Sequence, residues 1–540
     1  MSGGGADMRA ARRPRRWLHR LLSASALLAT MLIAPLVQAQ GEPAPTFEIR
    51  RFTVQGNTVL AASRIDAVLE PCTGTARTFA DVQAAVAALQ AAYAQAGFGA
   101  VTVVLPEQEV ASGTVRLEVV EARLRNVKVE GLTHAGEANI RRSLPSLQAG
   151  ATPNTDDLAR EIRLANENPA KRVSVDLKSA ASGDLDALVA VLDERPWRVG
   201  ASFDDTGTPT TGRHRVGAFY QHANFFDRDH VATLQYLTSP ERPSSVTIAA
   251  LNYRVPLPFL GDSIDAYAVY ANVDSGVVGD LFNVRGSGTT LGVRYNKNLR
   301  PTASYQHRWL YGLEQRRTNN RVGPVGGPSD LVPDVTLHPA NIGYAGTWSG
   351  EGRQLDFSGT GVRNIPGGAL GGAADIAAAR AGASARYAIF RYAANLVQTL
   401  PADWQLRVAI DGQYTHDALV SGEQFGIGGQ DSVRGFDERE LTNDRGNRAT
   451  LEIQTPNLGE QFVPGAAARA LIFADQGWLR RNQPLPGEVV RSHISSIGVG
   501  LRLAMPPSWN VRLSAAHVTE GAGVRPRGDE RLHVSVVYAY

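Results

Sequence analysis

One cysteine, Cys72, occurs in 540 residues, so no disulfide can form within the chain, whatever compartment it reaches. Beyond residue 36 no run approaches the roughly eighteen apolar residues of a spanning helix. That excludes helical membrane crossing but not crossing by strands, which span with about ten residues each and a weaker hydropathy signal. Glycine-rich phosphate loops ending in Lys-Ser/Thr, His-Glu-x-x-His and Gly-x-Ser-x-Gly are all missing. The eleven histidines are scattered without ligand spacing. No catalytic centre, bound metal or cofactor is therefore expected, and the chain does not read as an enzyme.

What is present begins with a segment to be set aside. Residues 1–39 read as a secretory signal peptide: six arginines between Arg9 and Arg20, an apolar stretch from Leu21 to Leu36, and Val37-Gln38-Ala39 as the cleavage site. Those arginines account for more than the whole formal charge of +3, so the remainder is slightly acidic. Nucleic-acid binding thereby loses its electrostatic support.

Residues 46–122 and 123–194 read as two small α/β modules of similar plan. The first opens with a strand over Phe47 to Val54 and a Gly56-Asn57 turn. Thr78 and Asp81 have capping-box spacing ahead of a helix with Val82, Val86, Leu89 and Tyr93 on one face and Gly97 as its stop. Strands follow at Val101 to Leu105 and Val115 to Val120. The second module has a strand at Val127 to Val129, a helix after Thr155 with Leu158, Ile162 and Ala165 on one side, and strands at Val173 to Leu177 and Leu188 to Leu192. Tandem modules of this kind leave strand edges exposed. A single α+β domain is the competing reading.

The composition shifts near Arg195-Pro196. Residues 46–194 contain one tyrosine, Tyr93, and no tryptophan, whereas the other fourteen tyrosines and every tryptophan outside the leader follow Pro196. Rings with one wet and one apolar end gather at the rims of membrane barrels. Period-two runs recur throughout residues 197–540. Trp404, Leu406, Val408, Ile410, Gly412 and Tyr414 alternate with polar neighbours; Leu451 and Ile453 oppose Glu452 and Gln454; Leu532, Val534, Val536, Tyr538 and Tyr540 oppose His533 and Ser535. Charged groups would be costly on the inner face of a dry sandwich, the competing architecture, and are at ease in a wet lumen. The region has room for about sixteen strands. Its Gly/Pro-rich stretches, Gln315 to Asn341 and Asn364 to Ser384, read as long external loops.

A polar segment, 416–447, separates two of the alternating runs and contains Gly429-Gln430-Asp431-Ser432-Val433-Arg434-Gly435-Phe436. An Arg-Gly turn ending in an aromatic can fold back and seat a guanidinium in a tight space. An ordinary solvated loop is the alternative that these residues alone leave open.

Taken together these stretches resemble the TpsB outer-membrane transporters of two-partner secretion, which export haemolysins and filamentous haemagglutinin-like adhesins. The first module resembles that family's POTRA pattern through Gly56-Asn57-Thr58, Tyr93, Gly97-Phe98, Leu105-Pro106-Glu107-Gln108 and Val119-Val120-Glu121. The second ends in Asn168-Pro169 and Glu194-Arg195-Pro196-Trp197, and Asp204 to Gly207 with Thr211-Gly212 resemble the start of the family's barrel. Val433-Arg434-Gly435-Phe436 matches the motif of a loop folded into the lumen, and Phe473-Ala474-Asp475-Gln476-Gly477 the wall motif that meets it.

The resemblance implies a transmembrane antiparallel β-barrel of about sixteen strands in the outer membrane, with two POTRA modules in the periplasm. It implies pairing of Arg434 with Asp475, with Phe473 and Gly477 beside them, and a C-terminal signal, Tyr538 and Tyr540, read by the barrel-assembly machinery. The partners implied are an unfolded secreted exoprotein and outer-membrane lipid. Two other readings are a barrel assembly factor of the same superfamily and a passive porin. Family members often begin with a pore-plugging helix; only about seven residues separate Ala39 from Phe47, so none is expected here.

Overall fold

The computed structural model describes residues 45–540 except 111, 181–182, 279–281, 326–330 and 507; the leader expected over 1–39 lies outside the described residues. One compact unit comprises residues up to Gln55 with Ala62–Leu89 and Val103–Glu118, and the other Gly56–Ala61, Gln90–Thr102 and Val119–Tyr540.

The strand expected over Phe47 to Val54 is broken at Arg50. Phe47–Ile49 pairs with Gly74–Arg77, and Arg51–Gln55 runs parallel to Thr114–Val120 in a separate sheet. The cause is local: the amides of Arg50 and Arg51 both turn to the carbonyl of Gly113, at 2.7 and 3.3 Å, and the chain cannot continue one ladder. The helix Phe79–Gln95 starts where Asp81 accepts from both the amide and the hydroxyl of Thr78, at 2.8 and 2.7 Å. Its buried face carries Val82, Leu89 and Tyr93, with Val86 half-buried. A second helix, Ala62–Leu69, was not legible in the sequence because its apolar face reduces to Ile65 and Leu69.

In the second module Leu124–Glu130 runs parallel to Leu185–Asp193, which pairs antiparallel with Lys171–Ser179. Both outer strands offer an edge. The helix Thr155–Asn166 is capped by Asn154, whose side-chain oxygen accepts from the amides of Asp156 and Asp157 at 3.0 and 3.1 Å. Leu158 and Ala165 enter a core with Ile140, Leu144 and Val189, and Ile162 packs against it. Glu161 is buried on the same helix and accepts from the Ser146 amide and hydroxyl. Burial raises its pKa, and the Ser146 bonds oppose the rise without cancelling it. A raised carboxyl favours the folded state below the ordinary carboxyl range, and that contribution is lost as pH rises through the folded pKa. Glu161→Gln keeps an acceptor without the charge. It should protect the amides of 146–166 against hydrogen exchange more than wild type near neutrality, with the difference vanishing at acid pH.

From Trp197 onward sixteen antiparallel strands, beginning with Trp197–Asp204 and ending with Glu530–Ala539, close into a barrel. First and last strands pair from Asp204↔Ser535 to Gly200↔Ala539. The pattern of a soluble protein is inverted. Leu251, Leu291, Leu313, Ile410, Ile472 and Val499 are exposed outside, while Asn296, Gln413, Glu452, Asp475 and Ser535 are buried inside. An apolar exterior around a polar bore suits lipid outside and water within.

The external loop expected over Gln315 to Asn341 is largely strand. Tyr305–Pro324 continues through its first part, and Val335–Leu337 and Pro339–Gly350 pair against that strand. Polar residues such as Arg316, Thr318 and Asn320 hid it: an extension with no lipid to face needs no apolar alternation, yet its backbone still pairs. Asn364 to Ser384 holds a short helix, Ala373–Ala379, whose Ile376 packs with Tyr387, Ile389 and Leu419.

Candidate functional site

The strands Gln405–Tyr414 and Arg445–Gln454 pair directly, and the chain between them folds into the barrel. The loop expected to end at 447 ends earlier, since Arg445, Gly446 and Asn447 already belong to the ladder. Within it, Phe425–Ile427 and Leu441–Asn443 form a small hairpin that carries the segment between them. Gly428 sits at φ +107°, where an added Cβ would stand 2.5 Å from the Asp437 carbonyl oxygen. Only glycine permits that crossing.

Arg434 is brought to Asp475. Its Nε lies 2.6 Å from Oδ2, its Nη2 2.8 Å from Oδ1, and its backbone amide 3.2 Å from Oδ2. The guanidinium carbon stands 3.5 Å from the centre of the Phe473 ring. The third nitrogen, Nη1, reaches Glu452 at 3.0 Å. One planar cation thus engages two buried carboxylates and an aromatic face, a geometry that suits arginine and not lysine. Glu452 is shared with Arg502, at 2.7 Å, and Arg407, at 3.4 Å.

The flanking motif residues seat this contact. Val433 and Phe436 are fully buried among Ile427, Leu479, Ile494 and Val518. Gly435, at φ +96°, donates its amide to Nε2 of His533 on the last strand at 2.9 Å. Gly477 is where the loop presses on the wall: a Cβ there would lie 2.9 Å from Ile427 and 3.1 Å from Val433.

Tyr538 and Tyr540 lie elsewhere, at the closing end of the last strand. Tyr538 packs on Trp509 with ring centres 4.8 Å apart, and Tyr540 lies beneath the Arg195 guanidinium at 3.8 Å.

Other holding points were not singled out in the sequence. Asp444, at the loop's end, takes the Arg380 guanidinium and the amides of Leu419 and Asn482. Glu423 takes Arg316 and Arg391 at 2.5 and 3.0 Å. The only advance signal was for Glu452, which the alternation of its strand turns inward. Beside Arg434 the bore keeps a cavity of about 1020 Å³ lined by Arg407, Arg502, Arg512 and Glu452 among others. The space is highly charged, and Asp431, Ser432 and Arg434 of the loop form part of its wall.

The family model for haemolysin secretion/activation protein ShlB/FhaC/HecB matches residues 186–503, and that for the ShlB-type POTRA domain residues 47–122. The outer membrane transporter CdiB of Escherichia coli O6:K15:H31 is 22% identical over 85% of this chain and 77% of its own. The heme/hemopexin transporter protein HuxB of Haemophilus influenzae is 20% identical over 76% of this chain and 73% of its own. Among solved structures, CdiB from Escherichia coli superposes with a TM-score of 0.74 at 17% identity, covering 93% of this chain and 92% of that one. CdiB from Acinetobacter baumannii gives 0.71 at 17% identity, over 93% and 91%. With one family model spanning more than half the residues, a POTRA module ahead of it and a closed sixteen-strand barrel behind, the chain belongs to the haemolysin secretion/activation family ShlB/FhaC/HecB, the outer-membrane transporters of two-partner secretion.

Proposed function

We propose that the chain takes up an unfolded exoprotein in the periplasm by strand addition and passes it through the barrel, and that the loop carrying Val433, Arg434, Gly435 and Phe436 must leave its seat for the client to pass. The seat on Asp475, Phe473 and Gly477 carries this reading, because it holds the motif at the loop's tip by a polar anchor and a small apolar cluster, while Glu423 and Asp444 hold the loop's two ends. The outer edge of Lys171–Ser179 beyond Val173, whose amide and carbonyl are taken by the Asn166 side chain, suits main-chain pairing with an extended client of varied sequence. Lipid surrounds the barrel, and Tyr538 and Tyr540 serve as the signal for the barrel-assembly machinery. Nucleic acid has no part in the cycle.

A reversible tether tests the movement. Val433→Cys with Gly477→Cys, in a Cys72→Ser background, places two thiols across the loop–wall contact. Oxidation should lower export of the cognate exoprotein at least tenfold and reductant should restore it. Undiminished export through fully cross-linked transporters would rule out the moving loop.

A further inference from the structure

Three arginines stand side by side on the outer face of the barrel. Arg445 lies opposite Arg480 in one strand pair, and Arg480 opposite Arg491 in the next. Neighbouring strands are about 4.8 Å apart, so the row places three cations within roughly 10 Å. Their outward direction follows from the ladder: Arg480 shares its side of the strand with exposed Trp478 and Ile472, opposite buried Asp475. With the modules in the periplasm, odd-numbered strands run outward, and the row lies at the extracellular end. Below it, aromatic residues line a cleft of about 960 Å³, including Phe390, Tyr414 and Trp478, each at least 40% exposed. Arg445 lies over the Tyr414 ring at 5.6 Å.

Like charges directly opposite one another in a sheet are destabilising. Arginines that face the bore, such as Arg407, Arg434 and Arg502, find carboxylates; among the described residues, none pairs with any of these three. The one acid lining the cleft, Glu520, is engaged by Nδ1 of His493 at 2.8 Å. The row therefore presents a binding capacity that the protein itself leaves unfilled.

From this we infer a binding site for a phosphorylated glycolipid of the outer leaflet. Two phosphates on one sugar headgroup would bridge the three guanidinium groups, and the headgroup's apolar underside and first acyl carbons would lie on Trp478 and Tyr414. A free anion would use the arginines but not the aromatic floor. The level at which the row sits is the interfacial one, where aromatic belts and basic side chains meet headgroups.

The test is native mass spectrometry of the detergent-solubilised full chain titrated with bisphosphorylated lipid A, with its dephosphorylated form, or with inorganic phosphate. Wild type should bind one bisphosphorylated molecule at least tenfold more tightly than the dephosphorylated one. R445Q/R480Q/R491Q should abolish that preference, and R480Q alone, which removes the middle cation of the row, should weaken it several-fold. Heat-modifiable mobility verifies that each variant is folded. Equal preference in the triple variant overturns the site, and displacement of the lipid by an equal concentration of inorganic phosphate overturns the lipid identity.

Discussion

Arg434→Ala should stop export while leaving a folded barrel in the membrane. Among the described residues Asp475 accepts hydrogen bonds from Arg434 alone, and it is fully buried. Removing one member of such a pair strands the other, at a cost on the order of 3–5 kcal/mol. Glu452 keeps Arg502 and Arg407 and is less affected. The penalty falls on the state with the loop seated, because the sixteen-strand ladder does not pass through Arg434, and export stops because each passage has to start from the seated loop. Arg434→Lys retains the charge but cannot reach both carboxylates, and should reduce export about tenfold, near 1.4 kcal/mol. The charge swap Arg434→Asp with Asp475→Arg is more telling. It sets a new carboxylate against Glu452, where Nη1 now lies 3.0 Å away, and removes the cation from the Phe473 ring. The swap should therefore restore export only weakly, and adding Glu452→Gln should improve it. Exoprotein in the medium, scaled to heat-modifiable barrel, measures all of these. Full recovery by the simple swap would mean that Glu452 has no part in holding the loop.

The sequence made the barrel legible because lipid imposes a simple rule on it. Strands such as Gln405–Tyr414 and Glu530–Ala539 must alternate along their whole length, and they do. Where the wall rises past the lipid the rule lapses, so the polar half of Tyr305–Pro324 read as loop although its backbone is paired to Pro324. The Arg434–Asp475 contact was reached through a motif resemblance, which names two residues and no more. Nothing local marks Glu452, Arg502 or Arg407 as its neighbours. Arg407 and Glu452 face each other on adjacent strands and Arg502 comes from two strands further on, so their convergence on Arg434 shows only in the paired sheet. Asp444 and Arg380, 64 positions apart, are legible only in the fold for the same reason. In the modules the motif residues explain one another once folded. Glu121 accepts from the amides of Thr58 and Val59 at 2.8 and 3.1 Å, and the Tyr93 hydroxyl donates to Asn57 at 2.6 Å. The Gly-Asn-Thr and Val-Val-Glu stretches are two halves of one turn.

Asp229→Ala should loosen the second module from the barrel more than any other single change at that joint. Asp229 lies in the turn after the second barrel strand, at φ +60°, and is almost wholly buried. It receives the Lys171 ammonium, the Ser143 hydroxyl at 2.7 Å, and the side-chain amides of Asn139 and Asn168 at 3.1 and 3.2 Å. Asn168 also donates to the Ala223 carbonyl at 2.7 Å, which accounts for the Asn168-Pro169 motif at the module's end. Burial lowers the pKa of Lys171, and the nearby Asp229 charge opposes that shift. Deleting Asp229 leaves the ammonium among neutral partners, at about 3–5 kcal/mol, and hydrogen exchange across 137–143 and 168–173 should accelerate together. Lys171→Met should cost less, since three neutral donors still face the carboxylate. The pair Lys171→Met with Asp229→Asn removes both charges and keeps the Oδ1 acceptor for Asn139 and Asn168, while the Ser143 hydroxyl donates to the Asn139 carbonyl at 3.0 Å and accepts from the new amide, so it should return exchange close to wild type. If the double variant were as loose as Asp229→Ala, the joint would depend on the ion pair's charge. Recovery would locate its strength in the hydrogen-bonded fit of the turn.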